Sequence, residues 1–178
     1  MTATALSKSS TKPSLAIFTT GGTFEKRYLE SIGSLGFMSS CLPTLVARAK
    51  LAHKPRIEEL MLIDSLEMGD NERATILARV KRAKETRIVI IHGTDTMTTT
   101  ALALKNSLDR GLKKTVVLTG AMIPIAHDQS DGFFNLGLAI AASQMARPGV
   151  YVAMSGCVYK AGEVEKDHRR KLFLPTTV

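Results

Sequence analysis

Residues 87–97 read Arg87-Ile88-Val89-Ile90-Ile91-His92-Gly93-Thr94-Asp95-Thr96-Met97. The apolar run Ile88 to Ile91 reads as a strand buried on both faces, as in a parallel sheet. It ends in glycine and hydroxyl residues, and open α/β sheets place their chemistry at that end of a strand. A second stretch follows the same pattern: Leu15 to Phe18 is an apolar run, followed by Thr19-Thr20-Gly21-Gly22-Thr23. Two hydroxyls and a carboxylate, on Thr23, Thr94 and Asp95, are thereby expected at one sheet edge. That set suits nucleophilic attack on an amide or ester, not phosphate binding.

Working outward, the chain alternates strand and helix. Strands are expected at Leu15–Thr19, Ile57–Ile63, Arg87–Ile91, Thr115–Thr119 and Val150–Ser155. Pro43 opens a short helix through Ala52, because proline is tolerated in a first helical turn. Asp70 is expected to cap a helix to Ala83, with Glu72 favourable in its first turn. A helix from Thr98 to Asp109 is expected to stop at Gly111. Asp131 is read as the cap of a helix from Phe134 to Met145, which Pro148-Gly149 closes. A loop fills Thr20 to about Ser40. This βαβα order implies an α/β fold, a mostly parallel, Rossmann-like sheet flanked by helices on both faces.

Composition sets bounds. With 178 residues, one domain over 15–178 is expected, preceded by a flexible Ser/Thr/Ala-rich segment over 1–14. No apolar run is long enough for a membrane span, and residues 1–14 lack the apolar core of a secretory signal. Cys41 and Cys157 have no metal-like or CxxC spacing, so both read as packing thiols in a reducing, cytoplasmic setting. The net charge of +8 comes partly from two clusters, Arg79 to Lys84 and Lys166 to Lys171. Few aromatics interleave with them and there is no Trp, so a nucleic-acid role is not expected. The first cluster reads as a solvated helix face. No metal or other cofactor is expected: the histidines lack paired spacing, and TTGGT lacks the lysine of a P-loop.

Each candidate site residue has a structural alternative. Gly21 and Gly22 permit a sharp turn that presents Thr23, but the same turn could be a plain strand–helix connection. Tyr28 is close enough in sequence to assist Thr23, or simply to pack. The segment between them and Gly36, with Gly33, reads as a lid. Asp95 can hold an ammonium group or orient a base, or it and Thr96 can cap a helix. Lys166 by itself reads as one more exposed lysine.

Together, TTGGT, DSLEMGD, HGTDTM, LTGAMIP, SDGFFNLGLA and the late Lys166 resemble the L-asparaginases of bacterial type, which use two catalytic threonines. The resemblance runs from about Leu15 to Phe173. It implies Thr23 as the lid-side nucleophile and Tyr28 as its helper. Thr94, Lys166 and Asp95 would form a triad. Ser65 would bind the substrate α-carboxylate, and Asp95, with Thr94 beside it, the α-ammonium. The backbone at Ala121 would contact the scissile amide. Leu66 stands where longer members often carry a polar side chain. Long members continue into a second domain, and this chain resembles a short, single-domain branch.

The expectation is therefore a cytoplasmic amidohydrolase, homo-oligomeric, that converts L-asparagine to L-aspartate and ammonia. Hydrolysis of another small amide such as L-glutamine, and a non-catalytic amino-acid-binding role on the same scaffold, stay open. Which threonine attacks first also stays open.

Overall fold

The structure, a computed structural model, describes residues 15–108, 111 and 113–176. The expected flexible segment over 1–14 and the helix end at Asp109 lie outside the described residues. The chain runs β1 (Leu15–Gly21), β2 (Arg27–Leu29), β3 (Ser34–Gly36), α1 (Leu42–Arg48), β4 (Arg56–Ile63), α2 (Asp70–Arg82) and β5 (Arg87–Ile91). It continues through α3 (Met97–Ser107), β6 (Thr115–Thr119), α4 (Gly132–Met145), β7 (Gly149–Met154), β8 (Cys157–Lys160), β9 (Val164–Asp167) and β10 (Leu172–Pro175).

The main sheet has the order β4-β1-β5-β6-β7-β8. The first five strands are parallel, and β8 folds back antiparallel on β7. Successive side chains of a strand point to opposite faces, and the core divides accordingly. Phe18, Ile88, Ile90, Val116 and Leu118 face α2 and α3, where Ile76, Val80, Ala101 and Leu104 meet them. Ile17, Val89, Ile91 and Val117 face α1 and α4 through Leu45, Val46, Leu136 and Ala139. The α/β class and the helices on both faces are as expected.

From β1 the chain passes to β4 on one side and then to β5 on the other. The topology thus reverses between β1 and β5, and a crevice opens at their C-terminal ends. The two threonine-bearing turns sit there.

Several boundaries differ. The loop after β1 contains a turn of 3-10 helix over Thr23–Glu25 and a hairpin, β2 paired with β3. Helix α1 stops at Arg48 rather than Ala52, because Lys50 takes φ of 47°, a left-handed conformation that ends a helix. Gly69, not Asp70, caps α2; the Glu72 carboxylate accepts the Gly69 N–H at 2.8 Å. Helix α3 ends at Ser107, before Gly111. The strands β8, β9 and β10 were not expected: each is four residues long, and the basic run Lys166 to Lys171 leads from β9 to β10.

The first basic cluster is not simply a solvated face. Arg79 makes two bonds to the Glu58 carboxylate on β4 and covers the buried Phe18 ring, its guanidinium 5.5 Å from the ring centroid. Arg56 covers the same ring at 5.1 Å and pairs with Glu58 and Glu85. Bonding to Arg79, outweighing the opposing effect of burial, holds Glu58 below the usual carboxylate range. Cys157 is exposed on β8 rather than packed. Among the described residues, no helix is long and apolar enough to cross a membrane.

Candidate active site

Three glycines make the site by letting backbones touch. A Cβ on Gly22 would lie 2.3 Å from Gly93 Cα, so the turns after β1 and β5 are in direct contact. Gly22 also has φ of 69°, which disfavours any side chain there. A Cβ on Gly93 would lie 2.5 Å from Ser65 Oγ, and one on Gly120 would lie 2.3 Å from the His92 carbonyl oxygen. The turns bearing Thr23, Thr94, Ser65 and Ala121 are therefore packed against one another.

The polar core of the site is formed by Thr94, Asp95 and Lys166. Lys166 Nζ donates to Thr94 Oγ1 and to Asp95 Oδ1, each at 2.8 Å. Thr94 is buried, and the lysine side chain is only 11% exposed. Taken alone, Lys166 read as one more exposed lysine, and that reading is corrected. It stands on β9, directly opposite the buried Phe173 on β10. Asp95 Oδ2 makes no hydrogen bond within the described residues, so one carboxylate oxygen stays available. His168 Nδ1 lies 3.8 Å from Asp95 Oδ1.

Ser65 heads a turn after β4 and is 1% exposed. Its Oγ is the buried side-chain polar atom among the described residues that has no hydrogen-bond partner. Such an atom costs stability unless a ligand can satisfy it. Thr96 Oγ1 donates to the Ser65 carbonyl at 2.8 Å and fixes the turn. Thr96 is the N-cap residue of α3, and its side chain ties two parts of the site together instead of making a cap bond.

Thr23 is half-buried beside the Gly22–Gly93 contact. Tyr28 is 63% exposed on β2, with Leu35 as its cross-strand neighbour. No hydrogen bond joins Tyr28 to Thr23 in this arrangement. Leu66, next to Ser65, is exposed.

Asp131 occupies the N-cap position of α4 as expected, but its side chain does something else. It makes no cap bond. It accepts the Met122 N–H at 2.9 Å, the Ile123 N–H at 3.1 Å and Asn135 Nδ2 at 2.8 Å. Asn135 in turn donates to the Gly120 carbonyl. The turn that carries Ala121 is thus held from α4.

Buried His92 is a structural residue of its turn. Burial pushes its imidazole down to about 4, so it is neutral and bonds the Gly93 carbonyl through Nδ1 at 2.8 Å. Beyond the β2–β3 hairpin, burial and then the neighbouring Glu25 carboxylate push the Cys41 thiol up to about 12. It is an inert thiol.

Hydroxyls, a lysine and a carboxylate thus meet at the switch point of an open α/β sheet. The family model described as Asparaginase, N-terminal matches residues 14–173. The chain belongs to the asparaginase family, matching its N-terminal domain. The L-asparaginase of Dirofilaria immitis is 34% identical over 135 residues, 74% of this chain and 23% of that protein. L-asparaginase 2 of Escherichia coli K12 is 32% identical over 167 residues, 86% of this chain and 46% of that protein. The solved thermostable L-asparaginase from Thermococcus kodakarensis superposes with a TM-score of 0.80 at 30% identity, covering 90% of this chain and 50% of that one. The chain therefore spans half or less of the length of these relatives.

Proposed function

We propose that residues 15–178 form the catalytic domain of an amidohydrolase that converts L-asparagine to L-aspartate and ammonia. The observation that carries this reading is Lys166 bonded to both Thr94 and Asp95, beside an unpartnered buried Ser65 hydroxyl. The family and its L-asparaginase relatives support the choice of substrate.

The roles follow from the chemistry. The Ser65 hydroxyl donates to the substrate α-carboxylate, and Asp95 Oδ2 accepts the α-ammonium. A hydroxyl is a weak nucleophile at neutral pH and needs a base or proton acceptor beside it. Thr23, assisted by Tyr28 once the lid lies over the site, adds to the amide carbon. The C–N bond then breaks, and the nitrogen leaves as ammonia with the proton from the hydroxyl. Water activated beside Thr94 and Lys166 cleaves the acyl-threonine ester and releases L-aspartate. Asp95 fixes the lysine by their shared bond. Backbone at Ala121, held through Asp131, offers polar groups to the scissile amide.

The unpaired cysteines support a reducing, cytoplasmic location. A homo-oligomer, in which a second copy helps to enclose the site, completes the proposal.

The test is ammonia release by the purified chain from L-asparagine, L-glutamine and D-asparagine in parallel. Release from L-asparagine well above the other two supports the reading. Release from L-glutamine alone moves the activity to the larger amide. Absence of release from all three by the folded protein contradicts it.

A further inference from the structure

Three consecutive residues, Glu25, Lys26 and Arg27, fasten the base of the β2–β3 hairpin, and one of them reaches out of it. Glu25 is buried and accepts Ser40 Oγ at 2.7 Å and the Cys41 N–H at 2.8 Å. Arg27 donates to the Ser39 carbonyl at 2.7 Å. These bonds close the outgoing leg on the returning one. Lys26 does both jobs: its ammonium lies 5.7 Å from the centroid of the Phe37 ring, on the returning leg. The same ammonium bonds Asp64 Oδ2 at 2.5 Å.

Asp64 is the residue before Ser65, and its other oxygen accepts the Leu66 N–H at 3.0 Å. One carboxylate therefore holds the Ser65 turn with one oxygen and the lid with the other. Beyond its base, and among the described residues, the strands of the hairpin pair only with each other, and Tyr28, Ile32, Leu35 and Met38 are exposed.

We propose that Lys26 is a positioning residue that straps the lid to the Ser65 turn through Asp64, so that the substrate-binding turn sets the placement of the lid. The proposal rests on the asparaginase reading above for its kinetic consequence, though not for the strap itself. The Asp64 carboxylate supports it: burial opposes its ionisation, yet the bond from Lys26, with the Leu66 N–H and nearby Lys166, holds it below the usual carboxylate range.

The test compares Lys26→Met, Lys26→Arg and Asp64→Asn with the unmodified chain. The first readout is the rate of chymotrypsin cleavage within residues 28–37, without ligand. The second is kcat and KM for L-asparagine. Lys26→Met and Asp64→Asn should each be cut about tenfold faster and show KM raised about tenfold, the scale of one charge-assisted hydrogen bond, with kcat little changed. Lys26→Arg should restore both. Thermal melting confirms that each variant is folded, and Asp64→Asn removes the same bond from the opposite side if Lys26→Met fails to fold. Cleavage at the unmodified rate overturns the strap. Faster cleavage with unchanged KM overturns its link to the Ser65 turn. If the unmodified chain releases no ammonia, the asparaginase reading fails on its own, and the cleavage rates still decide the strap.

Discussion

Lys166 and Phe173 are direct cross-strand partners in the β9–β10 hairpin, the lysine in the polar site and the phenylalanine fully buried. Opposed residues of an antiparallel pair share one face, so the buried ring sets where the lysine points. Two bonds reinforce this: Phe173 N–H donates to Ser155 Oγ, and Tyr159 OH donates to the Phe173 carbonyl. The core thus determines the aim of Lys166.

Phe173→Ala should therefore cost about 3–5 kcal/mol of stability, the usual loss for a buried aromatic. Measured where the variant is still folded, kcat should fall while KM for L-asparagine changes less. Phe173→Leu, which keeps most of the apolar volume, should retain more of both. Chemical denaturation together with steady-state kinetics checks this.

Gly93→Ala tests the backbone contact that joins the site. The added Cβ would lie 2.5 Å from Ser65 Oγ and 2.6 Å from Ser65 Cβ. Ser65 or the turn must shift, and a misplacement of about 1 Å at a site costs about 100-fold in rate. The expected outcome is a loss of kcat/KM on that scale in a folded protein. Activity within a few-fold of the unmodified chain would show that the turns are not held as described.

The legibility of this chain follows from its chemistry. The central parallel strands β1, β5 and β6 were readable because each holds an apolar run that leads into threonine or glycine, as in Ile88 to Gly93. Long-range pairing was less so. Lys166 and Phe173 are brought together by β9 and β10, which are only four residues each and are joined by His168 to Lys171, a run that resembles a basic tail. Asp131 was legible as the cap position of α4, but the turn of its carboxylate toward Met122 depends on the fold. Lys26 and Asp64 are far apart in sequence, and nothing local signals their pairing. The signal that existed was Asp64 beside Ser65.

Asp131→Asn should loosen the turn bearing Ala121. It replaces a charged acceptor of the Met122 and Ile123 N–H groups by an amide. The expected loss is about 1–3 kcal/mol of stability, with kcat reduced more than KM is raised. Urea titration and kinetics on the same preparation check it.

His92 gives a pH prediction. Its folded value is about 4, below the ordinary 6.5, so the unfolded chain binds the proton more readily. The associated stability is complete above 6.5 and is lost as pH falls toward 4. Between pH 7 and pH 5 the loss should be about 2 kcal/mol. Glu58, Glu85 and Asp64 are held below the usual carboxylate range, so they contribute at lower pH. Urea unfolding at the two pH values, repeated on His92→Gln, measures it; the variant should lose most of the slope.

The central claim is that the lysine bonded to Thr94 and Asp95 takes part in the chemistry. The direct measurement is kcat for L-asparagine with Lys166→Met, in a preparation whose circular dichroism and melting match the unmodified chain. A fall of about 100- to 10,000-fold is predicted, the range for loss of a positioned proton-transfer group. A kcat within a few-fold of the unmodified chain would contradict the account.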